Sequence, residues 1–167
     1  MYDDGFRAGR VVVGVSGSPA SLAAVRSAVD QARRSGRALV AVVAWEPPEG
    51  EKLYARWPDH AWARHWHAEA RATLARAFEE AVGGLPPDLD VALRVVRGRP
   101  GPVLVGLAAG PDDLLVIGGH RGPVHRYTRR HAWCPILTVP VRKIARAELR
   151  ALLRPVRGAG NCATSHS

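Results

Sequence analysis

Two short turns hold most of the residues in this 167-residue chain that could do chemistry. One is Gly118-Gly119-His120-Arg121-Gly122-Pro123-Val124, which follows the apolar run Leu114-Leu115-Val116-Ile117. The other is Val15-Ser16-Gly17-Ser18-Pro19, after Val11-Val12-Val13-Gly14. Glycine amides, hydroxyls and guanidinium groups beside a helix start are suited to anions, because the amides donate hydrogen bonds outward and the helix dipole favours negative charge there. The remaining reactive side chains do not assemble into a catalytic or metal site. Gly14-Val15-Ser16-Gly17-Ser18 misses the Gly-x-Ser-x-Gly nucleophile turn by one position. His60, His65 and His67 are spaced five and two apart, whereas a helical ligand pair needs three or four. His131 and Cys134 make at most half a metal or thiol site, and Cys134, just before a strand, reads as a small buried hydrophobe. Anion or nucleotide binding is therefore the chemistry to look for, with no catalytic residue and no metal expected.

The elements that must position these turns are legible as an alternation. A run of apolar residues without polar alternation fits a strand buried on both faces, as in parallel sheets. Arg10–Ser16, Ala38–Trp45, Val91–Arg97, Leu114–Gly118 and Ile136–Val139 are read as five strands. Between the first two lies a helix with Leu22, Val25, Val29 and Ala32 at three- and four-residue spacing, Ser18 as N-cap, Pro19 at the first helical position and Gly36 as C-cap. Asp59–Val82 is a long amphipathic helix whose apolar stripe is read as Trp62, Trp66, Leu74, Phe78 and Val82. Pro102–Ala109 and Pro123–Ala132 are short helices, the second very basic, and 143–153 is a possible surface helix. The fold class is α/β: a doubly wound, Rossmann-like five-stranded parallel sheet in three layers, with residues 1–9 as a tail, 10–141 as one domain and 142–167 as a basic extension ending in a polar tail. The turns at Ser16–Pro19 and Gly118–Pro123 should then lie side by side at the switch point.

Composition narrows the class further. The chain is long enough for one domain with a core, and no apolar run approaches the roughly 20 residues that cross a bilayer. Residues 1–10 lack the apolar segment of a secretory signal, Cys134 and Cys162 do not read as a disulfide framework, and a cytoplasmic location is expected. The formal net charge of +9 is local: 14 basic residues face 14 acidic ones up to Gly119, but from His120 to Arg157 ten basic residues face Glu148 alone. Such a patch either is a solvated surface or attracts an acidic partner or polyanion at Arg121, Arg126, Arg129 and Arg130.

In four stretches the sequence resembles the universal stress protein family. Val11 to Ser21 is similar to the family's opening strand and turn, and Trp45-Glu46-Pro47-Pro48 to the end of its second strand. Val96-Arg97-Gly98-Arg99-Pro100 with Asp112-Asp113-Leu114-Leu115-Val116-Ile117-Gly118 resembles its third and fourth strands, and Ala132-Trp133-Cys134-Pro135-Ile136-Leu137-Thr138-Val139 its closing strand. The resemblance covers Arg10 to Val141. It implies a stress-response or signalling module, commonly a homodimer through the last strands, here Ile136 to Val139, with ATP bound by some members and not by others.

Members that bind ATP carry Gly-x-x-Gly, about nine further residues and then Gly-Ser or Gly-Thr after the fourth strand. In this chain Gly118 and Arg121 fall on the leading glycines and Gly122-Pro123 on the closing pair, so the intervening loop is missing. Pro123 offers neither an amide proton nor a hydroxyl, Arg121 carries a Cβ where glycine allows close approach, and Ser16 stands where nucleotide binders have aspartate. The first turn also lacks the full Gly-x-Gly-x-x-Gly of dinucleotide sites. The expectation is a non-catalytic module without a cofactor that does not hold ATP in the family's way. The alternative is adenine-nucleotide binding in which His120, Arg121 and Arg126 replace the glycine cradle; a polyanion or nucleic-acid binder is a further one. The candidate nucleotide or anion site comprises Val15, Ser16, Gly17, Ser18, Val43, Gly98, Gly118, His120, Arg121, Gly122 and Val124.

Overall fold

The computed structural model describes residues 9–48, 50–56 and 59–141. Along the chain these form β1 (Val11–Gly14), α1 (Pro19–Ser35), β2 (Leu39–Trp45), α2 (Glu51–Arg56) and α3 (His60–Val82). Then come β3 (Val91–Arg97), α4 (Pro100–Leu107), β4 (Leu114–Gly118), α5 (Pro123–His131) and β5 (Ile136–Val139). The strands make one sheet in the order β3-β2-β1-β4-β5, with every pairing parallel. The chain adds β2 and β3 on one side of β1 and then returns to add β4 and β5 on the other. The switch point therefore lies at the carboxyl ends of β1 and β4, and the two expected turns are neighbours there.

Side-chain alternation along each strand divides the core into two layers. Val11, Val13 and Val15 with Leu39, Ala41 and Val43 pack against α1 and α3, where Val25, Val29, Leu74 and Phe78 are buried. Val12, Val40, Val42, Leu115 and Ile117 face Leu104 and Ala108 at α4, with Val124 of α5 beside them. Val11, Val12 and Val13 are wholly buried, which explains why β1 shows no polar alternation. Helix α1 begins and ends as its sequence requires: the Ser18 hydroxyl accepts from the Ser21 amide at 3.2 Å, and Gly36 takes a left-handed φ of 66°.

Several expected boundaries move. β1 and β2 are shorter than Arg10–Ser16 and Ala38–Trp45, because Arg10 and Ala38 precede the paired segment and the chain leaves the sheet after Gly14. α4 starts at Pro100 rather than Pro102, since a proline at the first helical position surrenders no hydrogen bond. α5 stops at His131, one residue early, and the exposed helix α2 has no sequence counterpart in the expected elements. On α3 the buried residues are Ala70, Leu74, Ala77 and Phe78, whereas Trp62 is 52% exposed and Val82 is exposed. Trp62 and Trp66 instead stack on each other, centroids 6.5 Å apart. The expected helix over 143–153 and tail over 158–167 lie outside the described residues.

The amino end of the sheet is tied by Asp113, just before β4. Its side chain is 7% exposed and accepts the Arg10 amide at 2.8 Å and the Gly110 amide at 3.0 Å, while the Arg10 guanidinium stands 3.6 Å away and donates to the Leu107 carbonyl at 2.7 Å. Burial by itself raises the Asp113 pKa, but the two amides and the Arg10 charge outweigh it and hold the carboxyl below its ordinary value. A carboxyl whose folded-state pKa is depressed stabilises the fold above its unfolded pKa, and that contribution disappears as pH falls through the folded value. Asp113→Asn should lower stability at neutral pH by about 1.5–3 kcal/mol, the usual worth of hydrogen bonds to a charged group. The gap between variant and parent in denaturant melts should close as pH drops below about 4.

Candidate functional site

A cleft of about 330 Å³ opens at the switch point, at the carboxyl ends of β1, β2 and β4. β1 and its turn supply Gly14, Val15, Ser16 and Ser18; β2 supplies Val42, Val43 and Ala44; β4 supplies Ile117 and Gly118. Thr73 of α3, Pro100 and Leu104 of α4 and Val124 of α5 close the sides. Glycine at 118 is a steric requirement. A Cβ there would collide with the carbonyl of Ala20 and crowd the Ser21 amide, both backbone groups of the first turn of α1. β4 can thus run against the start of α1, which brings the two turns together. Gly14 serves the opposite face, since a Cβ there would lie 3.0 Å from a Leu104 methyl.

Among the described residues, none that lines the cleft has an ionisable side chain. Its polar groups are hydroxyls: Ser16 and Ser18 share a hydrogen bond at 3.0 Å, and the Ser21 hydroxyl donates to the Ser18 carbonyl at 2.9 Å. Thr73 donates its hydroxyl back to the Glu69 carbonyl at 3.0 Å, so α3 contributes mainly a methyl group to the wall. The anion-binding capacity of the start of α1 is largely spent, because Pro19 has no amide proton and the Ser21 and Leu22 amides are engaged by Ser18. At α5 the cap is Gly122, with φ of 116° and no side-chain cap, followed by Pro123. Such a site can enclose an uncharged, partly apolar group and offer hydroxyl hydrogen bonds. It has no acid, base or paired nucleophile in its wall.

Of the residues singled out from the sequence, Val15, Ser16, Ser18, Val43, Gly118 and Val124 line the cleft. Gly17, His120, Arg121 and Gly122 belong to the two turns but not to its wall, and Gly98 follows β3 with Val103 packed close to it. Arg126 lines a separate groove on α5. Ser21, Thr73, Pro100 and Leu104 were not expected in the wall; Ser21 and Leu104 are core positions of their helices by spacing, but only packing shows that Thr73 and Pro100 reach the sheet's carboxyl end. Cys134 is buried at 8% exposure, and burial pushes its thiol pKa up, as in an inert structural cysteine. Among the described residues no three His, Cys, Asp or Glu side chains group together as metal ligands, and no helix is long and apolar enough to cross a membrane.

The sequence pattern of the universal stress protein family matches residues 8–140. The chain belongs to the universal stress protein family. A universal stress protein of Mycobacterium tuberculosis is 38% identical over 113 residues, 66% of this chain, and this chain spans about a third (34%) of that relative's length. Among solved structures, the universal stress protein UspA from Lactobacillus plantarum aligns with a TM-score of 0.52 and 23% identity over 80% of this chain and 98% of its own. A universal stress protein from Archaeoglobus fulgidus in complex with dAMP aligns with a TM-score of 0.52 and 18% identity over 78% of this chain and 97% of its own. These likenesses extend over the sheet and its helices and agree with the α/β architecture described above.

Within this family fold, the contact of Gly118 with α1 should be felt as stability. Gly118→Ala forces two backbone segments apart and should cost about 3 kcal/mol, the upper part of the usual overpacking range. Gly106→Ala is the control: Gly106 is exposed on α4 with nothing within 4 Å of a new Cβ, and the substitution should stabilise by roughly 0.5–1 kcal/mol. Urea melts of the two variants should therefore move in opposite directions.

Proposed function

We propose that this universal stress protein is a non-catalytic stress-response or signalling module whose cleft takes an adenine nucleoside or mononucleotide and binds ATP weakly. The observation that carries this reading is the cleft's place at the switch point combined with a wall free of ionisable groups. At about 330 Å³ it lies at the small end of ligand sites. A heterocycle would rest between Val43, Thr73 and Leu104, and the Ser16 and Ser18 hydroxyls could meet a ribose. A triphosphate has no such welcome: its charge would need oriented amides or cations, and each charge-assisted hydrogen bond forgone costs roughly 1.5–3 kcal/mol. Two lost bonds correspond to a hundredfold or more in affinity. The dAMP complex of the Archaeoglobus fulgidus neighbour supports the ligand class by analogy of fold.

Calorimetric titration tests the reading. AMP or adenosine should bind at least tenfold more tightly than ATP, and Thr73→Phe, which fills the cleft, should abolish the heat. Tight ATP binding that persists at high salt and in Thr73→Phe would overturn it.

The same module should pair with a second copy through β5, an edge strand whose outer row of backbone groups has no partner among the described residues and which carries half-buried Ile136 and Leu137. Light scattering should give twice the chain mass at micromolar concentration, and Leu137→Lys should return it to the monomer value.

A further inference from the structure

The cleft leaves unused a strongly charged surface on the outer side of α5. From His120 to Val141 the chain has four arginines and no Asp or Glu. The rotation of α5 is set by Thr128, which is wholly buried with its hydroxyl donating to the Val124 and His125 carbonyls at 3.0 and 3.1 Å. Arg126, Arg129 and Arg130 are consequently exposed, and among the described residues none of them is in an ion pair. Complementing the helix dipole accounts for Arg129 and Arg130 in the last turn, but not for Arg126.

Aromatic rings lie among these charges. The Tyr127 and His131 rings stack with centroids 4.1 Å apart and planes 19° from parallel. Gly101 of α4 makes room for Tyr127, since a Cβ there would stand 2.8 Å from its ring, so the stack is held against the helix layer rather than free to swing. These residues line a groove of about 570 Å³ with Arg126, Arg129 and Arg130. Two residues beyond the helix, Trp133 is 84% exposed, which leaves its ring face open to solvent.

We propose that the outer face of α5 together with Trp133 binds single-stranded nucleic acid without base preference. Guanidinium forks would hold phosphodiester groups and the exposed rings of Trp133 and His131 would stack on bases, the combination that recognises single strands. An acidic protein segment would use the arginines but gain little from Trp133, and a duplex keeps its base faces stacked away from the rings. The sequence of 142–157 adds six basic residues against Glu148, which strengthens attraction of a polyanion to this end of the chain. This inference is independent of what occupies the cleft.

Fluorescence anisotropy of the full chain with a labelled oligo-dT, over a salt series, tests it. Affinity should fall with salt, and the combined Arg126→Ala, Arg129→Ala and Arg130→Ala variant should flatten the log–log slope by about 2, as expected for three phosphate contacts to a single strand. Trp133→Ala should weaken oligo-dT binding about tenfold while leaving heparin binding unchanged, and Trp133→Phe should restore most of the loss. All the substituted side chains are exposed, and thermal melts check that each variant folds. Salt-independent binding, an unchanged slope in the arginine variant, poly-glutamate binding equal to that of oligo-dT, or a Trp133→Ala variant that behaves as the parent would each overturn the proposal; the last would also be the outcome if a second copy covered Trp133.

Discussion

The backbone contact between Gly118 and Ala20 is the constraint on which the site depends. A parallel sheet that reverses its winding leaves a crevice between two neighbouring strands, and how open that crevice is depends on how closely the next helix approaches. Here the last residue of β4 touches the first turn of α1 with only a hydrogen between them. The crevice extends across the sheet's carboxyl end to β2, where Val42, Val43 and Ala44 form part of its wall. Asp113 anchors the other end of β4 to Arg10 just before β1, so β4 meets α1 at its carboxyl end through a close backbone approach and β1 at its amino end through a hydrogen-bonded carboxylate.

Charge and cavity are separated in this molecule. The cleft at the sheet's carboxyl end is lined by hydroxyls and aliphatic groups, while the arginines of α5 line another groove and Arg121 stays outside the cleft wall. In a nucleotide site of the family pattern, oriented glycine amides bring phosphate charge to the cleft itself. Here Gly122 caps α5 without a side-chain hydrogen bond, and Pro123 at the first helical position has no amide proton to offer. Hydroxyl and aliphatic groups thus face the cleft, while the arginine charge of α5 stands apart from it.

Much of the architecture is legible in local patterns. Five apolar runs, the Ser18-Pro19 helix start and the Gly36 helix stop each report a short-range preference that the fold obeys. Proline punctuation was easier to misread: Pro100 is compatible with both a break and a first helical position, and the structure takes the second. The α3 stripe misled for a related reason. Trp62 and Trp66 satisfy helical periodicity, but helical periodicity says which residues share a face, not how far the sheet beneath that face extends. The buried part of the stripe begins at Ala70, and the tryptophans upstream of it cover each other.

The sequence by itself determined the α/β alternation, the family and the concentration of positive charge beyond Gly119, because each of these is a property of consecutive residues. The tertiary structure alone decided which groups share the cleft. Thr73 and Pro100 reach it from α3 and α4 through packing across the sheet, whereas Gly17, His120, Arg121 and Gly122 miss its wall although they belong to the right turns, and Gly98 lies after the edge strand β3. It also decided that Trp133 and the three arginines of α5 are exposed together, since burial of Thr128 sets the rotation of that helix and no local pattern specifies how far a nine-residue helix turns its charged face from the sheet.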